Sequence, residues 1–83
     1  MYKIIRKNDN KEFITDSFKF VVFDSLGLGT KLIDNIEIDT CLILPPYSMI
    51  TIWMTSLITE IIQNDEIIHF KTKNSEYMIT VSN

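Results

Sequence analysis

An all-β fold is what this sequence predicts, on three observations. The chain is rich in β-branched residues, with fifteen Ile, three Val and eight Thr among 83; such side chains lose χ1 freedom on a helix but pack well on a pleated sheet. Alanine, the best helix former, is absent. Turn residues cut the chain into short runs, many of which alternate between apolar and polar. The expected architecture is a small SH3-like or OB-like barrel of seven or eight short antiparallel strands, with room for one helical turn. Barrel closure would also remove exposed sheet edges, a hazard in so isoleucine-rich a chain.

One domain spanning residues 1–83 is expected at this length. Hydrophobic residues are 46% and charged residues 23% of the chain, a globular balance that offsets the ordering entropy and argues against disorder.

The elements follow in order. Tyr2 to Arg6 reads as a strand, Asn8-Asp9-Asn10 as a turn, and Lys11 to Thr15 as the second arm of a hairpin. Phe18 to Phe23 is apolar on both faces (Phe18, Phe20, Val22 and Lys19, Val21, Phe23), as a central strand would be. Asp24 to Lys31 holds both glycines and reads as a loop. Leu32 to Asp39 alternates, with Ile36 and Ile38 on one face and Asn35, Glu37 and Asp39 on the other, so a half-buried strand with an acidic face is expected. Cys41 to Leu44 and Met49 to Met54 are two strands joined through Pro45-Pro46, with Trp53 on the face opposite Ile50, Ile52 and Met54. Leu57 to Ile62 suits either a strand or a helical turn, and its β-branched content favours the strand. Glu66 to Lys71 and Glu76 to Val81 form a last hairpin, with Tyr77, Ile79 and Val81 inward and Glu76, Met78 and Thr80 outward.

Cys41 is the only cysteine, which excludes an internal disulfide or a thiolate zinc cluster and fits a reducing compartment. Residues 1–7 lack the apolar run of a signal peptide, so a cytoplasmic location is expected. Thr40 to Thr59 carries no charge over twenty residues, the length of a spanning helix. Two prolines and six Ser or Thr interrupt it, and two buried strands explain it better than a membrane span.

Catalytic and cofactor chemistry find little footing. His69 is the only histidine, and neither a second His nor a nearby Cys supports a metal site. Cys41 and His69 are formally a nucleophile and a base, but Cys41 adjoins Leu42-Ile43-Leu44 and reads as a buried structural thiol. The acids Asp34, Glu37, Asp39, Asp65 and Glu66 read as solvated faces rather than a glycosidase-like pair. Gly27-Leu28-Gly29-Thr30-Lys31 lacks the spacing of a Walker A loop and the third glycine of a dinucleotide fingerprint. It is a flexible turn whose amides are candidates to hold an anion or a partner through Gly27, Gly29, Thr30 and Lys31. No enzyme activity, cofactor or metal is expected.

Charge is unevenly spread. Residues 1–31 sum to +2, residues 32–70 hold six acids and no Lys or Arg for −6, and residues 71–83 sum to +1. Direct nucleic-acid binding is disfavoured, because phosphate neutralisation calls for a basic stripe. The acidic middle suits a protein partner with a basic surface instead. Tyr47 and Trp53 add aromatic anchors of the kind enriched at interface centres, although core packing explains Trp53 equally well. Glu37, Asp39, Tyr47, Trp53 and Asp65 are therefore the candidate partner-binding set. Apolar side chains on both strand faces also make room for homo-oligomerisation.

The cadence Thr55-Ser56-Leu57-Ile58, then Thr72-Lys73-Asn74-Ser75-Glu76-Tyr77, resembles a phrase of many small phage and mobile-element proteins. That resemblance covers about 30 residues of the C-terminal half. It implies a phage-type product, acting in the host cytoplasm by binding and blocking a host or defence protein. Three functions remain open on the sequence: such an inhibitor, acting through its acidic-aromatic surface; an oligomeric protein that binds a nucleotide-type ligand at the glycine loop; and a structural component of a larger particle.

Overall fold

The computed structural model describes residues 1–47 and 53–82. Nine strands appear among them: β1 (Tyr2–Arg6), β2 (Lys11–Thr15), β3 (Lys19–Phe23), β4 (Gly29–Ile33), β5 (Cys41–Leu44), β6 (Trp53–Met54), β7 (Ile58–Asn64), β8 (Ile68–Thr72) and β9 (Glu76–Val81). There is no helix among these residues, and so none long and apolar enough to cross a membrane. The all-β class and the short antiparallel strands are as expected. The strands divide into two sheets, one of five in the order β2-β1-β9-β8-β7 and one of four in the order β4-β3-β5-β6.

Several strands match their expected limits. β1, β2, β5 and β9 begin and end where the turn residues place them. Asn10, at φ 58°, turns the β1–β2 hairpin in the left-handed region that Asn tolerates. Residues 58–64 settle as strand β7 rather than a helical turn. Of the expected strand Met49 to Met54, Trp53 and Met54 form β6 and the rest lies outside the described residues.

Three expectations are corrected. The expected strand Leu32 to Asp39 stops at Ile33. Ile36 turns into the core at 6% exposure while Ile38 stands 47% exposed, so the two do not share a face. Asp39 ends the segment in the left-handed region, at φ 66°, with its N–H donated to the Ile58 carbonyl. The expected loop Asp24 to Lys31 is shorter than it reads, because Gly29, Thr30 and Lys31 belong to β4, where Gly29 and Lys31 pair with β3 across a register irregularity at Thr30. Val81, an inward position by its alternation with Tyr77 and Ile79, is 66% exposed, because it lies at the very end of β9 opposite Tyr2.

The core lies between the sheets. Ile4, Phe70, Tyr77, Ile79 and Ile58 from the five-stranded sheet meet Phe20, Leu42 and Leu44 from the four-stranded sheet, joined by Ile36. Phe70 stacks on Tyr77 at 5.6 Å between ring centroids, and Trp53 meets Tyr77 edge-on at 6.0 Å. Such aromatic pairs add about 0.5–1.5 kcal/mol to what their burial contributes.

At its Thr55 end the β5–β6 ladder is continued by a side chain. Beyond the two paired residues, the Thr55 N–H donates to the Leu42 carbonyl, and the Leu42 N–H donates to Thr55 Oγ1 at 3.0 Å. The Thr55 hydroxyl in turn donates to the Ser56 carbonyl. A threonine thus supplies the acceptor that a regular strand would have supplied from its backbone.

Carboxylates held by neighbouring donors tie stability to pH. The Arg6 guanidinium grips Asp9 with two hydrogen bonds, at 3.1 and 2.9 Å, and with the Lys11 N–H holds its carboxyl down at about 2 from an ordinary 3.8. Glu76 is lowered chiefly by its hydrogen bond with His69 across β8 and β9. A carboxyl with a depressed folded pKa contributes its stability above its unfolded pKa and loses it as pH falls through the folded value. The unfolding midpoint should hold near pH 5 and drop as pH is lowered from about 4.5 towards about 2. Denaturant titrations across that range check this, and the double variant Asp9→Asn, Glu76→Gln should show a flatter profile than the wild type.

Candidate functional site

The two sheets turn different faces outward. On the side away from the core, the five-stranded sheet carries Lys3, Glu12, His69, Lys71 and Glu76 interspersed with Ile5, Ile14 and Met78, with Lys3 and Glu12 paired at 3.3 Å. The four-stranded sheet is apolar on its core side and largely apolar on the other, where Lys19 stands opposite Ile43. Val21, Cys41 and Ile43 are buried, yet all three stand outside the core cluster. The register explains why: Val21 lies opposite Cys41 and Leu32, and Ile43 lies opposite Met54, on the face that alternates with Phe20, Leu42 and Leu44.

That outer face holds a groove of about 280 Å³, lined by Val21, Phe23, Leu32, Ile43, Tyr47 and Met54 together with the β4 segment Gly29 to Lys31. Val21 and Ile43 form its floor, at 8% and 3% exposure. Leu32 and Met54 form its rim, at 42% and 43%. Gly29 lets β4 lie close, since a Cβ there would meet Val21 Cγ1 at 3.1 Å. Past Phe23 the groove continues into a second depression lined by Asp24, Ser25, Gly27, Asp39, Cys41 and Leu57. Phe23 lines both depressions.

Tyr47 is set into this surface under strain. It is half-buried at φ 56°, a left-handed conformation unusual for a bulky side chain and costing roughly 1–3 kcal/mol. Its hydroxyl shares a 2.8 Å hydrogen bond with Ser17 Oγ, which ties it to the β2–β3 connection. Next to that connection, Lys19 pairs with Asp34 at 2.6 Å, which raises the lysine pKa.

The expected site residues therefore separate. Tyr47 joins Gly29, Thr30 and Lys31 in the groove, and Asp39 joins Gly27 in its continuation. Trp53 does not share this face: its half-buried ring packs on Phe13 at 4.8 Å and on Tyr77, against the core. Asp65 stands at the far end of β7, where it accepts hydrogen bonds from Gln63 Nε2 and the Ile67 N–H, and these hold its pKa down. Glu37 is exposed in the irregular segment before β5 and lines neither depression.

No family model, curated protein or solved structure matches this chain.

The glycine loop already holds an anion, and it is the chain's own. The Asp24 carboxylate accepts hydrogen bonds from the Leu26 and Leu28 N–H groups, each at 2.9 Å, and the Asp24 carbonyl accepts the Gly27 N–H at 3.0 Å. Gly27, at φ 80°, provides the turn this requires. These three amides are thereby committed. Cys41 is a buried thiol, and burial pushes its pKa up. It lies in the four-stranded sheet, whereas His69 lies in the other and bonds to Glu76. Among the described residues no three His, Cys, Asp or Glu side chains converge as metal ligands.

Sequence reasoning missed Val21, Phe23, Leu32, Ile43 and Met54 as a surface. The available signal was β3 and β5: both are apolar on both faces, in a chain whose length provides two sheets.

Proposed function

We propose that this chain is a non-enzymatic interaction domain that binds a partner protein along the outer groove of the four-stranded sheet. The observation that carries the reading is the contrast between the two outer faces. One mixes Ile5, Ile14 and Met78 with charged side chains and has no groove among the described depressions; the other is an apolar groove with Leu32 and Met54 at its rim and the exposed Leu26 and Leu28 in the adjoining turn. Exposed apolar surface beside polar rim groups is the mark of a contact site. The amides of the glycine turn are already bonded to Asp24, so this surface suits inserted side chains better than a nucleotide. Asp39 offers a partner a carboxylate at one end, which keeps a basic partner group in the reading. The phage-like cadence of the C-terminal half supports a host or defence protein as the target, with steric blocking as the mechanism.

Selection of displayed random peptides on the immobilised protein tests this. Wild type should enrich sequences with alternating apolar residues, Met54→Lys should abolish the enrichment, and Glu37→Gln with Asp65→Asn should leave it unchanged. Enrichment that survives Met54→Lys but disappears in the acidic double variant would move the contact surface to the acidic residues.

A further inference from the structure

We infer that the depression beyond Phe23 is an arginine site. A guanidinium group of the partner protein lies against the Phe23 ring and pairs with the Asp39 carboxylate. The inference rests on the partner-protein reading above and adds the chemistry of one anchor residue.

The depression measures about 450 Å³ and lies at the Cys41 end of β5, the opposite end from Tyr47. Val21 pairs with Cys41 in the last step of the β3–β5 ladder, and Phe23 and Asp39 stand two residues beyond it on either side. The Asp39 N–H donates to the Ile58 carbonyl and the Ile58 N–H donates to the Thr40 carbonyl, at 2.9 and 2.8 Å. These bonds fix the backbone that carries the carboxylate. Phe23 is half-buried and belongs to no part of the core cluster, so its ring is available to the depression. Buried Cys41 and half-buried Leu57 add apolar surface.

The polar groups select a cation. Asp39 is exposed and makes no ion pair among the described residues. Asp24 lines the same depression, but one of its oxygens is committed to the Leu26 and Leu28 N–H groups, which leaves Asp39 the stronger acceptor. No Lys, Arg or His lines the depression, and residues 32–70 contain no Lys or Arg, so nothing in the lining balances the charge. The ring then narrows the cation to arginine. A guanidinium is planar and weakly hydrated, stacks on an aromatic face, and meets a carboxylate through two parallel N–H donors. A lysine ammonium is a strongly hydrated point charge and gains less from a ring beside an open carboxylate. Arginine is also among the residues that carry most of the binding energy at protein interfaces. A metal ion is the poorer occupant, because no three His, Cys, Asp or Glu side chains converge among the described residues.

Nα-acetyl-arginine methylamide tests the inference beside its lysine counterpart and its citrulline counterpart, which has the same shape and no charge. Titration of each into ¹⁵N-labelled protein at low salt reads both affinity and location. The arginine probe should shift the Phe23, Asp39, Cys41 and Leu57 amides saturably. It should bind about tenfold more tightly than citrulline and roughly threefold more tightly than lysine. Asp39→Asn should bring arginine down to the citrulline level, with the fold kept, since asparagine tolerates the left-handed backbone at this position. Phe23→Leu should remove the preference over lysine. Citrulline binding as tightly as arginine, or undiminished binding by Asp39→Asn, overturns the ion pair. Lysine binding as tightly as arginine, or a preference that survives Phe23→Leu, overturns the guanidinium stacked on the ring. Absence of a saturable shift at these amides overturns the inference as a whole. Met54 lies outside the depression, so the display selection with Met54→Lys decides separately whether the groove reading stands.

Discussion

Phe70→Ala should cost about 3–5 kcal/mol, and a denaturant titration should show the variant largely unfolded at 37 °C. A domain of this size has roughly 4–12 kcal/mol of stability in all, so one such loss takes most of it. Phe70 is fully buried in β8, stacked on Tyr77, with Ile61 opposite it on β7. Removing the ring strips Tyr77 of its stacking partner and opens a cavity where β7, β8 and β9 meet the other sheet. Its neighbours Tyr77 and Ile61 sit on strands paired to β8, which limits how far they can move into the void. Phe70→Leu should retain a cooperative transition at a lower midpoint. If Phe70→Ala unfolds at the wild-type midpoint, the ring is not part of the packed interior.

Thr55→Val should cost about 1–3 kcal/mol, from the cost of leaving a buried N–H without a partner. Valine has nearly the same shape, so packing is kept and only the hydroxyl is lost. That hydroxyl accepts the Leu42 N–H, and Leu42 is fully buried, so no water replaces the bond. Thr55→Ser keeps the oxygen and should recover most of the loss. Equal destabilisation by valine and serine would assign the effect to the missing methyl group instead. Amide exchange at Leu42 offers an independent readout, since protection there should fall in the valine variant and persist in the serine variant.

Where the chain obeys one local rule at a time, the sequence is a good guide. Asn8-Asp9-Asn10 can only turn, and the runs on either side alternate, so β1 and β2 were legible to the residue. Residues 32–39 were not. Ile36 and Ile38 alternate as a strand should, but what decides their directions is the left-handed Asp39 and its bond to Ile58, a residue nineteen positions away. Gly27-Leu28-Gly29 reads as loop because glycine is poor in strands. Gly29 nevertheless starts β4, where a Cβ would crowd Val21 Cγ1 at 3.1 Å. The candidate site was half legible. Asp39, Tyr47, Gly29, Thr30 and Lys31 were singled out, but as members of two separate sites. Their union on one face follows from the order β4-β3-β5-β6, a tertiary arrangement that no local pattern encodes.

The placement of β1 between β2 and β9 has a bearing on how the molecule is made. Tyr2 pairs with Val81 and Ile4 with Ile79, so the middle of the larger sheet joins segments synthesised far apart in time. At about 5–20 residues per second, β1 waits roughly 4–16 s on the ribosome for its neighbour. During that interval the β1–β2 hairpin has one edge open, with Ile4 uncovered, while further isoleucine-rich segments emerge behind it. Such exposure invites association with other nascent chains. Yield in the cell should therefore depend on translation rate and chaperone supply more steeply than the stability of the finished fold would indicate.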